Sequence, residues 1–246
     1  MHGAAKLSQK EIPARERLIL ALDVPTPEDA KRLVERLGDR VVFYKLGLQL
    51  FMAGGYFELV AWLRERAKKV FVDLKFFDVP ETVGNAVSQL RTRGADFVTV
   101  HGNDDILREA VNHKNGVKIL AVTVLTSLDE NDLRELGFQC DITSLVLSRA
   151  RRALEIGCDG VISSGREAAK LRDSLGDRFL IVVPGIRQFS NSAARGDDQK
   201  RTVDVEEAFR NGADYIVVGR PIRNAPDPVK AAEDHQERIR RLFASP

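Results

Sequence analysis

Three charged residues interrupt a segment that otherwise has the composition of a buried strand. In the stretch VFVDLKFFDVP, Asp73 and Lys75 lie two positions apart within an apolar run, and Asp78 follows just beyond it. Because side chains alternate across a strand, Asp73 and Lys75 are predicted to point to the same side. Burying an unpaired charge is costly, so these opposite charges predict either a structural ion pair or a functional site.

Charged residues also end the two preceding apolar runs. Asp23 closes the stretch LALD, and Lys45 lies in the stretch YKLG. A lone Asp-x-Lys in a strand is most simply an ion pair that fixes strand register. Five charged residues on three successive strand ends favour a catalytic site instead, because fixed ammonium and carboxylate groups can stabilise developing charge and supply a proton.

The elements that must position these residues are short apolar runs, each followed by a segment of helical periodicity. The runs are apolar on both faces, as expected for a parallel sheet that is covered on both sides. Thr26-Pro27 followed by acids predicts a helix start, and glycines such as Gly157 predict helix ends. The runs occupy residues 18–24, 41–48, 70–76, 97–101, 119–125, 160–164, 179–186 and 215–220.

Eight strand–helix units in 246 residues predict an α/β chain that forms a single (β/α)8 TIM barrel over residues 1–246, with residues 1–16 as an N-terminal extension. A doubly wound open sheet is the alternative, which is disfavoured because no Gly-x-Gly-x-x-Gly follows the first run. Function in a TIM barrel sits at the C-terminal ends of the strands. The charged residues above are therefore expected at one mouth of the barrel.

Composition limits the possible partners. A net charge of +2 is too small to imply nucleic acid, and no stretch has the roughly 20 apolar residues that a membrane helix needs. The first residues lack the apolar core of a secretion signal, so a cytoplasmic location is expected. Cys140 and Cys158 lack metal-ligand spacing and suggest a reduced compartment.

Taken in order, the motifs resemble those of the orotidine 5′-monophosphate decarboxylase family, in particular its bacterial members. That family carries a Lys–Asp–Lys–Asp array and a D-x-K-x-x-D signature. The signature alone is shared with related sugar-phosphate enzymes, whereas the ordered set is specific and spans nearly the whole chain. The matching positions are Asp23, Lys45, the run Asp73 to Asp78, Ala121 to Ser127, Pro184 to Arg187, Asp198 to Arg201, and Gly219 to Ile222.

The resemblance implies decarboxylation of orotidine 5′-monophosphate to uridine 5′-monophosphate without a metal or any other cofactor. It assigns Lys75 as the acid that protonates C6 of the pyrimidine, with Asp73 and Asp78 keeping that ammonium protonated. Asp73 is also expected to face the substrate carboxylate. Lys45 and Asp23 are expected to hold the ribose hydroxyls and to complete the alternating charges.

The resemblance further implies a homodimer in which Asp78 and Thr82 reach the neighbouring subunit's site. Two positions depart from the family pattern, with Phe77 where bacterial members often carry histidine and Glu81 where they carry asparagine. Phe77 is not one of the charged positions, so the chemistry is expected to survive. Glu81 puts in doubt any role of an amide at that position.

Two stretches are expected to bind the phosphate. The connection of about fifteen residues after the seventh run has the length and the Ser, Asn, Ala and Gly content of a lid. The family match places Pro184, Arg187 and Gln199 there as substrate-binding residues. After the eighth run, Gly219 offers a backbone N–H and Arg220 a guanidinium, and barrel loops seven and eight commonly bind phosphate.

The base is expected to be bound by a hydroxyl after the fifth run, from Thr126 or alternatively Ser127.

Two rival functions stay open. A Mg2+-dependent sugar-phosphate decarboxylase or synthase on the same barrel would be sensitive to EDTA. A catalytically silent nucleotide-binding barrel would be favoured by loss of a charge from the array, and all of its charges are present.

Overall fold

The apolar runs predicted as strands form a closed parallel barrel. The computed structural model describes residues 6–187 and 201–244. Its strands are β1 Leu18–Ala21, β2 Phe43–Gly47, β3 Lys69–Phe76, β4 Phe97–Val100, β5 Lys118–Val122, β6 Gly160–Ile162, β7 Leu180–Val183 and β8 Tyr215–Val218. Consecutive strands pair in parallel, and β1 pairs with β8, which closes the barrel and confirms the predicted TIM-barrel fold.

Helices connect the strands and cover the outside of the barrel. Thr26 begins the first helix by accepting a hydrogen bond from the Asp29 amide at 3.1 Å, and Gly157 ends the seventh in a left-handed conformation, as predicted. None of the described helices is both long and apolar enough to cross a membrane. The helices are α1 Pro27–Leu37, α2 Leu48–Met52, α3 Tyr56–Glu65, α4 Pro80–Leu90, α5 Asp104–Asn112, α6 Glu130–Glu135, α7 Ile142–Ile156, α8 Gly165–Leu175, α9 Val205–Arg210, α10 Arg220–Arg223 and α11 Pro228–Phe243.

Several strands end earlier than the apolar runs predicted. The fifth run continues to residue 125, but β5 ends at Val122. Beyond that residue, backbone carbonyls accept hydrogen bonds from arginine side chains. The Thr123 carbonyl accepts from Arg149 Nη1 at 2.6 Å, and the Val124 carbonyl accepts from Arg201 Nη2 at 3.1 Å. The chain beyond the strand is thus held by side chains at the mouth.

The barrel interior is filled by a layer of aromatic rings. Phe97 packs edge-on against Phe43, Phe71 and Tyr215, with ring centroids 5.0, 6.0 and 5.2 Å apart respectively. All four rings are at least 96% buried. Edge-to-face packing of this kind suits the charge distribution of aromatic rings. The interior is therefore a solid apolar floor.

The next layer toward the mouth is polar. Lys45, Asp73 and Thr99 each follow one of the phenylalanines of this floor by two positions. Because side chains on a strand alternate, these polar residues point into the barrel directly above the rings. The fold thus places the charged array on the aromatic floor.

The opposite end of the barrel is held by a buried carboxylate. Asp214 precedes β8, and its fully buried side chain accepts hydrogen bonds from Arg172 Nη2 at 2.7 Å and from the Ile181 amide at 2.8 Å. It also accepts from Lys10 Nζ at 3.1 Å and Ser8 Oγ at 2.5 Å. These bonds attach the residues before β1 to the base of the barrel.

Replacing Asp214 by alanine is expected to lower the free energy of unfolding by about 3–5 kcal/mol, because Arg172 would be left buried without its charged partner. Urea unfolding at neutral pH measures the change. Asp234→Ala is the control, since that carboxylate pairs with Lys230 on the exposed face of α11. Its loss should cost at most about 0.5 kcal/mol. Equal shifts in the two variants would contradict the anchoring role.

Candidate active site

A cavity of about 510 Å³ opens at the C-terminal mouth of the barrel, above the aromatic floor. It lies at the ends of strands from both halves of the barrel, so distant segments of the chain meet there. Most of the residues predicted for the site line this cavity: Asp23, Lys45, Asp73, Lys75, Thr126, Ser127, Pro184, Arg187, Gly219 and Arg220.

Four of the lining residues form a continuous chain of opposite charges. Lys45 Nζ lies 3.1 Å from Asp23 Oδ1 and 3.2 Å from Asp73 Oδ2. The other oxygen of Asp73 lies 2.9 Å from Lys75 Nζ. The order Asp23–Lys45–Asp73–Lys75 alternates in sign at every step, so each ion stabilises its neighbours.

The inner and outer members of this array differ in exposure. The side chains of Lys45 and Asp73 are each 12% exposed, whereas those of Lys75 and Asp23 are 36% and 45% exposed. The buried pair therefore holds the array in place, while Lys75 and Asp23 present their polar groups to the cavity.

Electrostatics keep the buried pair ionised. Burial alone would lower the pKa of Lys45, but the carboxylates of Asp73 and Asp23 raise it above its ordinary value. Burial would likewise raise the pKa of Asp73, but the ammonium groups of Lys45 and Lys75 lower it below its ordinary value. The two residues thus stay charged at neutral pH.

Lys75 reaches Asp73 through an irregularity in β3. The pairing of β3 with β4 shifts between Val72 and Phe76, and Lys75 has a φ of 49°, in the left-handed region. Strand alternation correctly predicted that the two side chains meet. The strand is not regular here, however: Lys75 lies in a bulge, and its own left-handed backbone conformation directs its side chain into the cavity.

Thr99 on β4, which was not among the residues predicted for the site, supports this bulge. Its hydroxyl donates to Asp73 Oδ1 at 2.9 Å and accepts from the backbone amide of Lys75 at 3.0 Å. Thr99 is 1% exposed. The available signal was a hydroxyl at an inward position of a strand that is otherwise apolar.

Gly47 was also missed. It pairs with Asp73 in the β2–β3 register. A Cβ at this position would come within 3.3 Å of both Asp23 Oδ1 and Lys45 Nζ. The absence of a side chain at Gly47 therefore provides the space in which the Asp23–Lys45 ion pair lies.

Arginines line the cavity at the ends of the last two strands. Arg187 follows β7, and Gly219 and Arg220 follow β8, as the sequence predicted, with Gly219 at the start of α10. A third arginine, Arg223, was not predicted. Its guanidinium donates to the backbone carbonyl of Asp23, and Nη1 lies 3.9 Å from the Asp23 carboxylate.

Some predicted residues do not meet the array. Asp78 and Thr82 are exposed, and neither belongs to the lining of the cavity formed by the described residues. Asp78 accepts a hydrogen bond from the amide of Val79 at 2.6 Å and lies beside a neighbouring depression. Within one chain, Asp73 is therefore the carboxylate that pairs with Lys75. Gln199 lies outside the described residues.

The hydroxyl residues after β5 both line the cavity. Thr126 is 8% exposed, and Ser127 is half-buried. Both alternatives for the base contact stay open. In the described parts of the chain, no three His, Cys, Asp or Glu side chains gather in a way that could hold a metal ion.

Comparisons with known proteins agree with this geometry. Residues 16–235 match the model of the family described as orotidine 5′-phosphate decarboxylase / HUMPS. The orotidine 5′-phosphate decarboxylase of Methylococcus capsulatus is 62% identical over 239 residues, which cover 97% of this chain and 98% of that protein. The enzyme of the same name from Xanthomonas euvesicatoria is 47% identical over 95% of this chain and 97% of that protein.

Among solved structures, orotidine 5′-phosphate decarboxylase from Lactobacillus acidophilus superposes with a TM-score of 0.80 at 35% identity, covering 91% of this chain and 99% of that one. Similarity of this extent in both sequence and fold goes beyond a shared barrel architecture. The chain belongs to the orotidine 5′-phosphate decarboxylase / HUMPS family.

Proposed function

We propose that this chain decarboxylates orotidine 5′-monophosphate to uridine 5′-monophosphate, a step of pyrimidine synthesis, without a metal or any other cofactor. The observation that carries the proposal is the alternating array from Asp23 to Lys75 at the mouth of the barrel. The alternative, a Mg2+-dependent sugar-phosphate enzyme, is not favoured, since the relatives above are named orotidine 5′-phosphate decarboxylases.

The charge of the cavity suits this substrate. Orotidine 5′-monophosphate carries a carboxylate and a phosphate, roughly three negative charges together. Among the described residues that line the cavity, the cations outnumber the carboxylates by three, which complements that charge. The carboxylates are Asp23 and Asp73, and the cations are Lys45, Lys75, Arg187, Arg220 and Arg223.

The proposed reaction uses Lys75 as the proton donor. The bond between C6 and the carboxylate breaks, CO2 leaves, and the electron pair stays on C6. The ammonium of Lys75 stabilises this developing carbanion and then transfers a proton to it, which gives the C6–H bond of the product. Solvent restores the proton of Lys75. Asp73 keeps Lys75 in place through its 2.9 Å contact and disfavours the substrate carboxylate by like-charge repulsion.

The remaining roles follow from the family resemblance, and except for Gln199, which lies outside the described residues, they are supported by positions in the lining of the cavity. Lys45 and Asp23 hold the ribose hydroxyls, and Thr126 or Ser127 binds the pyrimidine. Pro184, Arg187, Gly219 and Arg220 surround the phosphate, and Gln199 completes that part of the site. We also propose, as the sequence predicts, that the protein is cytoplasmic. We further propose that residues 1–246 form a single domain, with residues 1–16 as an N-terminal extension.

We further propose that the active form is a homodimer in which Asp78 and Thr82 complete the partner's site. Both are exposed and lie outside the cavity of their own chain. Phe77 and Val79, which flank Asp78, are 68% and 62% exposed, and Met52 in the short helix after the neighbouring strand β2 is 79% exposed. In the proposed dimer, the partner subunit covers these apolar side chains.

Replacing Lys75 by alanine should abolish turnover while leaving the affinity for uridine 5′-monophosphate largely intact, because the product lacks the group that Lys75 acts on. Turnover is measured by the decrease in absorbance of the orotate group when EDTA-treated protein is mixed with orotidine 5′-monophosphate. Calorimetry measures product binding. Rapid turnover by the treated wild type is expected. Near-normal turnover by the variant would reject Lys75 as the donor, and a wild type that required Mg2+ would reject the metal-free reaction.

Replacing Arg220 by alanine should lower kcat/KM by about 10- to 100-fold, the loss of charge-assisted hydrogen bonds to the phosphate. Steady-state kinetics with orotidine 5′-monophosphate measure the change. Arg36→Ala is the control, since Arg36 lies in the last turn of α1 and its side chain is 55% exposed. Unchanged kcat and KM in Arg220→Ala would contradict the phosphate assignment.

Mixing two inactive variants tests the shared site. Lys75→Ala and Asp78→Ala should each be inactive alone, but their mixed dimer has one site with both residues intact. Random reassortment should therefore restore roughly a quarter of the wild-type activity. Lys75→Ala mixed with Lys45→Ala is the control and should stay inactive, because both lysines belong to the same chain's site. No recovery in the first mixture would reject the action of Asp78 in the partner's site.

A further inference from the structure

A second buried ion pair lies close behind the cavity. Arg201 is 6% exposed, and its Nη1 donates to Glu167 Oε1 at 2.9 Å. The side chain of Glu167 is 8% exposed. Nη2 of the same guanidinium donates to the backbone carbonyls of Val124 and Leu125 at 3.1 and 3.0 Å. One planar group thus makes three hydrogen bonds that are fixed relative to each other.

These bonds join three loops at the mouth. Val124 and Leu125 follow β5, and Glu167 lies in the first turn of α8, after β6. Arg201 belongs to the connection between β7 and β8, where Val203 forms a parallel bridge with Ile186. The loops after β5, β6 and β7 are therefore held by one side chain.

The joined backbone leads directly into the cavity. Val124, Leu125 and Thr126 all line it, whereas neither Arg201 nor Glu167 does. Arg201 therefore cannot act on a bound nucleotide by contact. It can act by fixing the two carbonyls that precede Thr126, because those carbonyls lie beyond the last ladder residue of β5.

We propose that Arg201 is a positioning residue which, with Glu167 as its counter-ion, holds the loop after β5 so that the hydroxyls of Thr126 and Ser127 face the base of the nucleotide. The proposal rests on the proposed function only for the identity of that base. Its consequence is selective. The guanidinium of Arg201 bonds the carbonyls after β5, whereas the connection after β7 is held by backbone contacts, such as the Arg187 amide donating to the Val203 carbonyl at 2.9 Å, that Arg201→Lys leaves in place.

The chain offers a matched control for a purely structural role. Arg172, at the base of the barrel, also combines a buried carboxylate with backbone carbonyls. Its guanidinium contacts Asp214 at 2.7 Å, the Gly212 carbonyl at 2.9 Å and the Phe179 carbonyl at 2.9 Å. Arg172→Lys and Arg201→Lys therefore remove the same kind of interaction from opposite ends of one fold.

Binding of uridine 5′-monophosphate and of ribose 5-phosphate, measured by calorimetry, separates the two roles. Arg201→Lys should weaken uridine 5′-monophosphate by about tenfold, the loss of one hydrogen bond, and leave ribose 5-phosphate unchanged. Its kcat/KM should fall at least as far, because small misplacements at a site are costly. Arg172→Lys should lower the melting temperature and change neither affinity. Equal weakening of both ligands, or wild-type affinities in Arg201→Lys, would overturn the proposal.

A double-mutant cycle with Thr126→Val and Ser127→Ala tests the route of the effect. If Arg201 acts through these hydroxyls, Arg201→Lys should add little to the loss of affinity that removing them already causes. Fully additive losses would overturn the proposal. Should Arg201→Lys fail to fold, Glu167→Gln replaces it, because the guanidinium then loses its counter-ion while the side-chain shape is kept. Glu167→Gln should also weaken uridine 5′-monophosphate selectively, and wild-type affinity would count against the proposal.

The outcomes separate this inference from the proposed function. A wild type that binds uridine 5′-monophosphate but leaves orotidine 5′-monophosphate intact would reject the reaction alone, and the binding comparison would still decide the role of Arg201. A wild type that binds neither nucleotide would overturn both.

Discussion

The buried carboxylate of Asp73 is the group on which the arrangement of the mouth depends. It accepts from Lys75 and Thr99 through one oxygen and lies 3.2 Å from the ammonium of Lys45 through the other. A carboxylate in this position without its partners would be strongly destabilising. The Asp73 carboxylate therefore requires cations and a hydrogen-bond donor around it, and Lys45, Lys75 and Thr99 supply them. The array thus depends on one buried anion above the aromatic floor.

The bulge in β3 lets one residue meet two requirements. Lys75 has to reach Asp73, and it has to present its ammonium to a ligand. A left-handed φ at a residue other than glycine costs on the order of 1–3 kcal/mol, and such strain persists only where the surroundings enforce it. The hydrogen bond from the Lys75 amide to the Thr99 hydroxyl is one such contact. The strain is thus located at the residue that carries the proposed chemistry.

Much of this site could be predicted from the sequence because strand alternation and barrel closure are regular. Asp73 and Lys45 were placed correctly by their positions at the ends of apolar runs. The bulge and Thr99 could not be predicted, because they depend on the register between β3 and β4. Arg223 was missed for a similar reason, since its link to Asp23 joins the first and last strands of the barrel. The exposure of Asp78 likewise depends on how the loop leaves the barrel.

The two ends of the barrel treat charge in opposite ways. At the base, the carboxylate of Asp214 is surrounded by donors from the chain itself, and these bonds serve stability. At the mouth, the cations outnumber the carboxylates among the described residues that line the cavity. A cleft lined in this way attracts anions. An anionic ligand therefore stabilises the folded chain as it binds. The charges at the base thus serve the stability of the fold, whereas those at the mouth serve the binding of an anionic ligand.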